Sequence, residues 1–244
     1  CEALLPLFID RGIVGMAQSL DAEFACIIYD EAKRRFYAAR DPIGIRPLFY
    51  GYDAEGDLYF ASEAKSLHSI CTTVVPFPPG YCHDGQNFIQ YTDIAKVETY
   101  NNDEQDAIFE NINKLLIKAV EKRMNADAPV GFLCSGGLDS SLVCAIAARL
   151  SPRPIKTFAV GIVDGPIDTK YARIVADHLK SEHHEYLFTR QDIFDTLHDL
   201  IYTTETWDIT TIRASLGMYL ICKYVRENTD VKVLLTGEIS DELF

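Results

Sequence analysis

The chain has 244 residues, 48% of them hydrophobic and 24% charged, which fits one large or two modest folded domains and excludes disordered, collagen-like and disulfide-stapled classes. No apolar run reaches the roughly 18 residues of a membrane helix and no signal-type segment opens the sequence, so a cytoplasmic protein without a membrane partner is expected. Lys plus Arg number 23 against 36 for Asp plus Glu, a net charge of −13, and no basic run exceeds Lys33–Arg34–Arg35, which argues against nucleic acid as the main partner.

The first part reads as β-rich. Glu2 to Gly12 has a weak helical pattern, with Pro6 about one turn in. Phe24 to Tyr29 is a continuous apolar run, the pattern of a strand covered on both faces. Arg35 to Ala39, Leu48 to Tyr52 and Leu58 to Ser62 are further strands, the last two joined through Asp53-Ala54-Glu55-Gly56-Asp57. A polar stretch at Thr99 to Asp106 places a domain boundary there, giving domains 1–100 and 101–244.

Beyond it the pattern changes. Ile108, Ile112, Leu115, Leu116, Ala119 and Val120 recur at helical spacing, so Gln105 to Met124 is an amphipathic helix. Strands at Val130 to Cys134, Lys156 to Ile162, His184 to Phe188 and Val231 to Leu235 alternate with helices at Ser140 to Leu150, Thr169 to Lys180, Asp192 to Thr203 and Ile212 to Arg226. Such alternation predicts a parallel sheet flanked by helices, with ligands beyond the carboxyl ends of the strands. The expected class is thus α+β followed by α/β.

Two segments carry chemistry. Ser135-Gly136-Gly137-Leu138-Asp139-Ser140-Ser141 follows a strand and opens a helix; two glycines let the backbone approach an oxyanion, and amides and hydroxyls supply donors. It is not a Walker A loop, because the six-residue spacing and the lysine are absent. A tight turn with a serine cap gives the same letters, but Asp139 beside bound phosphates implies a Mg²⁺ ion between them. Thr236-Gly237-Glu238-Ile239-Ser240-Asp241-Glu242 ends another strand, so both loops are expected on one sheet edge, with Asp241 sharing the metal and Glu238 acting as a base or holding an amine. Alone, this second stretch also reads as an acidic turn with a helix cap.

The first loop resembles the pyrophosphate loop of N-type ATP pyrophosphatases. Together with Arg40-Asp41-Pro42-Ile43-Gly44-Ile45-Arg46-Pro47-Leu48, Ala61-Ser62-Glu63-Ala64-Lys65, Phe158-Ala159-Val160-Gly161 and Thr210-Thr211-Ile212-Arg213-Ala214-Ser215, the whole pattern is similar to the glutamine-hydrolysing asparagine synthetases. The resemblance implies an N-terminal-nucleophile glutaminase domain of αββα architecture, present in part, followed by part of an ATP-pyrophosphatase domain. It implies ammonia freed from glutamine and channelled to a second site, where ATP and aspartate give β-aspartyl-AMP and pyrophosphate, and ammonia then gives asparagine and AMP. Carried over by motif, the Leu133 and Val160 backbones hold adenine, and Thr236 and Gly237 line the nucleotide. Ser135, Gly136, Gly137, Asp139 and Ser140 hold pyrophosphate, Asp139 and Asp241 hold Mg²⁺, and Glu238 handles the incoming amine. Thr210 and Arg213 are candidates for contacting aspartate or the adenylate, Arg213 reading equally as a solvated helix residue. The partners implied are ATP, aspartate, glutamine or ammonia, and a second copy of the full-length protein in a homodimer.

The pattern departs from the family at Cys1, which is followed by Glu-Ala-Leu-Leu and matches an internal family segment rather than the catalytic N-terminal cysteine. Glutamine hydrolysis by this stretch is therefore not expected, and the chain reads as a central fragment, prone to aggregate and forming no asparagine alone. Ile239 replaces a glycine usual in the second loop. The alternatives are a β-lactam-forming synthetase with the same ATP chemistry and a short, non-catalytic nucleotide-binding paralogue. Of the smaller features, the seven cysteines, odd in number and without a CxxC pair, read as buried reduced thiols. His183-His184-Glu185 reads as structural because alternation sends the two imidazoles to opposite faces, and Trp207 reads as core.

Overall fold

The computed structural model describes residues 2–97, 99–100, 102–165 and 167–238. They form two compact units that divide between Asn101 and Asn102. Among them no helix is long and apolar enough to cross a membrane.

The first unit begins with helix α1, Leu4–Ser19, broken at Gly12 where φ is 67°. The expected helix stops at that glycine; the observed one resumes beyond it, because Ile13, Met16 and Ala17 supply the buried face. Pro6 is tolerated in the first turn, where its missing N–H has no intrahelical partner to lose. Strands β1 (Ala25–Asp30) and β2 (Arg35–Arg40) pair antiparallel, and β3 (Phe49–Tyr52) pairs with both β4 (Leu58–Ala61) and β5 (Thr73–Pro76). A hairpin of β6 (Tyr81–His83) and β7 (Phe88–Gln90) completes a sheet of order β1-β2-β6-β7 beside a second of order β4-β3-β5. Neighbouring alanines of β2 face opposite ways. Ala39 joins Met16, Ile28 and Cys82 under α1, whereas Ala38 packs with Leu48 and Phe77. A helix layer and two sheet layers result. The apolar run at β1 is not covered on both faces, since Ile27 and Tyr29 are exposed. A run of six apolar residues shows that a strand is hydrophobic, not that both its sides have partners.

In the second unit, α2 (Gln105–Met124) precedes β8 (Val130–Leu133), α3 (Leu138–Leu150), β9 (Lys156–Ile162), α4 (Ile167–Leu179) and β10 (Glu182–Phe188). Then come α5 (Arg190–Thr204), α6 (Ile209–Asn228) and β11 (Val233–Leu235). The sheet runs β10-β9-β8-β11, parallel throughout. Val120 of α2, Cys144 and Ala147 of α3 and Ala172 of α4 bury one face with Phe132 and Ala159; Ile221 and Val225 of α6 bury the other with Phe158. The chain is thus a mixed α/β protein with a parallel sheet flanked by helices. α5 opens with a capping box, Thr189 Oγ1 accepting from the Asp192 amide while Asp192 accepts from the Thr189 amide. α6 is capped by Asp208, whose carboxylate accepts from the Thr211 amide at 2.7 Å.

Two expectations about single residues fail. Trp207 is 90% exposed, not core: it lies in the four-residue link between α5 and α6, where nothing packs over it. Among the described cysteines, Cys222 is exposed on α6, Cys26 and Cys71 are partly buried, and Cys82, Cys134 and Cys144 are fully buried; all six are unbridged. His183 and His184 do point to opposite sides. His183 Nδ1 lies 2.8 Å from Thr157 Oγ1, whereas His184 stacks on Phe158 with ring centroids 5.1 Å apart.

Candidate functional site

Strand order reverses at β8, from which the chain proceeds outward through β9 and β10 and later returns to β8's other edge with β11. Loops leaving β8 and β11 at their carboxyl ends therefore flank one crevice. It contains a cavity of about 320 Å³. Leu133, Ser135, Gly137, Asp139, Ser140, Val160, Thr236, Gly237 and Glu238 all border it. The sequence thus located nine residues that converge from three strand ends.

The loop after β8 is held by its own serines. The Ser135 amide donates to Ser140 Oγ at 3.2 Å, the two hydroxyl oxygens lie 2.9 Å apart, and the Gly137 amide donates to Ser135 Oγ at 3.3 Å. Gly136 turns the chain behind the cavity at φ 84°, a conformation that disfavours side chains. A Cβ there would also stand 2.5 Å from Tyr171 Cβ. Gly137 is the N-cap of α3 and Asp139 lies in its first turn, so free helix amides and the positive helix end face the cavity. Gly237 meets this turn directly: a Cβ on it would lie 2.8 Å from the carbonyl carbon of Asp139 and from the Ser140 nitrogen. The two loops are in backbone contact, which a side chain at 237 would break.

Three carboxylates, Asp139, Asp168 and Glu238, border the cavity, and no Lys or Arg does among the described residues. Phosphates entering it need a compensating cation, and hard carboxylate oxygens suit Mg²⁺, which commonly takes one or two protein carboxylates and completes its shell with phosphate and water. Among the described residues no group of three or more His, Cys, Asp or Glu stands close enough to hold a metal by itself, so the donor set fits an ion that arrives with phosphate.

Other candidate residues lie elsewhere. Thr210 and Arg213 are exposed in the first turns of α6 and do not border the cavity, although Met218 and Ile221 farther along that helix do. Asp241 and Ile239 fall outside the described residues. Sequence reasoning gave no site role to Cys134, Phe158, Ala159, Asp168, Met218 and Ile221, which also border the cavity. Asp168 had a findable signal, since it opens the helix that follows β9; Met218 and Ile221 had none beyond a helical face.

The asparagine synthase family pattern matches residues 111–244, and that of the glutamine amidotransferase domain matches residues 1–69. The chain belongs to the asparagine synthase family. A "Probable asparagine synthetase (glutamine-hydrolyzing)" of Acanthamoeba polyphaga mimivirus is 43% identical over 268 residues, covering 100% of this chain and 48% of that protein. The human asparagine synthetase (glutamine-hydrolyzing) is 38% identical over 275 residues, covering 99% of this chain and 48% of its own length. The corresponding Schizosaccharomyces pombe protein is 38% identical over 266 residues, with 100% and 47% covered. The chain spans about half the length of the curated relatives it matches.

Proposed function

We propose that the protein carrying this chain is a cytoplasmic, glutamine-hydrolysing asparagine synthetase. Residues 1–100 belong to its αββα glutaminase domain and 101–244 to its ATP-pyrophosphatase domain. What carries the reading is the backbone contact between the Ser135–Ser140 turn and Gly237 over a carboxylate-bordered cavity at the strand-order reversal.

In this reading the Leu133 and Val160 backbones hold adenine and Thr236–Gly237 lies along the nucleotide. Ser135, Gly136, Gly137 and Ser140 form the loop that holds the β- and γ-phosphates, through its hydroxyls and the free amides at the start of α3. Asp139, with Asp241, would hold Mg²⁺, which when bound would offset charge on the departing pyrophosphate. The aspartate side-chain carboxylate attacks the α-phosphorus, giving β-aspartyl-AMP and pyrophosphate. Ammonia from glutamine then attacks the acyl carbon, Glu238 accepts its surplus proton, and AMP leaves. Thr210 and Arg213 reach the aspartyl moiety only if the first turns of α6 approach the cavity when substrate binds.

The test uses the complete gene product with ATP, Mg²⁺, aspartate and glutamine. Asparagine, AMP and pyrophosphate are expected in equal amounts, and Asp139→Asn is expected to lower kcat by about 10²-fold or more, on the scale of losing one charge-stabilising group. ADP and phosphate as products, or turnover that ignores aspartate, would overturn the assignment.

A further inference from the structure

We propose that Cys134 and Cys144 form an oxidation site beneath the phosphate-facing loop, closing into an intramolecular disulfide that deforms the loop. Cys134 follows β8 and shares a buried cluster with Phe132 and with Cys144 and Ala147 of α3. The pair is 1% and 0% exposed. The Cys144 thiol lies 3.7 Å from the carbonyl oxygen of Leu133, the residue before Cys134, and its sulfur neighbours that of Cys134. Gly136 of the loop stands two residues beyond Cys134, so the same sulfur adjoins both its partner thiol and the loop.

Selectivity follows from these contacts. The neighbouring Cys144 thiol, helped by the Gly136 amide and opposed by burial, holds the Cys134 thiol below the ordinary range, while the same neighbour and burial push Cys144 up. Burial raises Cys26, Cys71, Cys82 and Cys222. Among the described cysteines only Cys134 is favoured as a thiolate, the form that reacts. It also borders the cavity, which gives a small oxidant a route to the sulfur.

The oxidant class is a peroxide. The Cys134 thiolate attacks one peroxide oxygen and breaks the O–O bond, giving Cys134 sulfenic acid and a hydroxide or alkoxide that takes up a proton. The Cys144 sulfur then attacks the sulfenyl sulfur, forming the S–S bond and expelling water. Two thiols lose two electrons and the peroxide gains them. A disulfide holds its sulfurs about 2.0 Å apart, well inside non-bonded contact, so β8 and α3 must draw together. The loop between them cannot follow freely, because Gly136 is wedged against Tyr171 and Ala172. Weaker nucleotide binding follows; that last consequence rests on the proposed function, whereas the disulfide does not.

Both cysteines fall between Arg123 and Arg149 with no other Lys or Arg between, so trypsin releases them on one peptide. The reduced chain is treated with hydrogen peroxide, alkylated and mapped. That peptide is expected to lose both alkylation sites and two hydrogens at least about ten-fold faster than Cys26, Cys71, Cys82 or Cys222 is oxidised, with dithiothreitol reversing it. Hydrogen exchange at residues 135–141 is expected to quicken on oxidation in the native chain but not in Cys144→Ala, or in Cys144→Ser should the alanine variant fold poorly. Equal oxidation of all thiols, or no disulfide in this peptide, overturns the site; unchanged exchange in the bridged form overturns its effect on the loop. ATP titration separates the readings, since a reduced chain that binds no ATP counts against the proposed function while peptide mapping still decides the disulfide.

Discussion

Asp41 shows how much one carboxylate organises. Its side chain is 1% exposed, with Oδ1 accepting the amides of Ile43, Gly44 and Ile45 at 3.1, 2.6 and 2.9 Å and Oδ2 that of Arg46 at 3.0 Å. Beside it the Arg40 guanidinium donates to the carbonyls of Gly44, Arg46 and Phe77. Asp41→Ala removes the one carboxylate shared by four loop amides and is expected to destabilise the first unit by about 1–3 kcal/mol. Asp41→Asn keeps the shape but turns an NH₂ toward amides that already donate, so it too should lower the thermal midpoint; an unchanged midpoint in both variants would show that the loop re-forms without the carboxylate. The Arg40–Leu48 motif was visible in the sequence, as were the two glycine loops, because each confines its chemistry to a short run of residues. The Cys134–Cys144 contact was not: it joins a strand end to a helix face across a turn, and no periodicity reports a pair of that kind.

At the scale of elements, legibility followed length and caps. β8, β9 and α2 to α6 could be read because long apolar periods are bounded by turn and cap residues. β5, β6 and β7 were missed, β6 and β7 because three residues carry no period and β5 because it runs into Pro76-Phe77-Pro78-Pro79, although Asp84-Gly85 between β6 and β7 is a hairpin signal that was present. Two strands, β6 and β10, carry buried histidine side chains with a consequence for pH. His83 of β6 is held below the ordinary value of 6.5 by burial, against the pull of Asp84. His183 of β10 is also lowered, first by burial and then by Arg173 of α4, with Glu185 and Asp177 opposing and His184 adding to the depression. A depressed histidine is neutral when folded while its unfolded counterpart binds a proton, so stability is full above 6.5 and falls as pH drops from there toward the folded value. Urea midpoints should therefore be lower at pH 5.5 than at 7.5, and His183→Gln should shrink the difference for the second unit. A difference that persists undiminished would place its origin in other groups.

For the molecule as a whole, net charge of −13 favours solubility, but each unit also presents large apolar side chains to solvent. Ile27, Tyr29 and Phe36 do so on β1 and β2, Phe109, Ile112 and Leu115 on α2, and Trp207 before α6. The isolated chain is expected to self-associate, and to do so more as salt screens its charge; light scattering that stays monomeric from low to high salt would show these faces to be innocuous. The sheet order has a consequence in time. β8 pairs with β9 early in the chain but waits for β11, the last described strand, to cover its other edge. A nascent polypeptide can thus assemble most of the second unit while β8 remains an open edge and the crevice has one wall. A ligand that stabilises the finished site cannot rescue a chain stalled before β11, so substitutions that weaken β8 should depress yield during synthesis even in a cell rich in nucleotide.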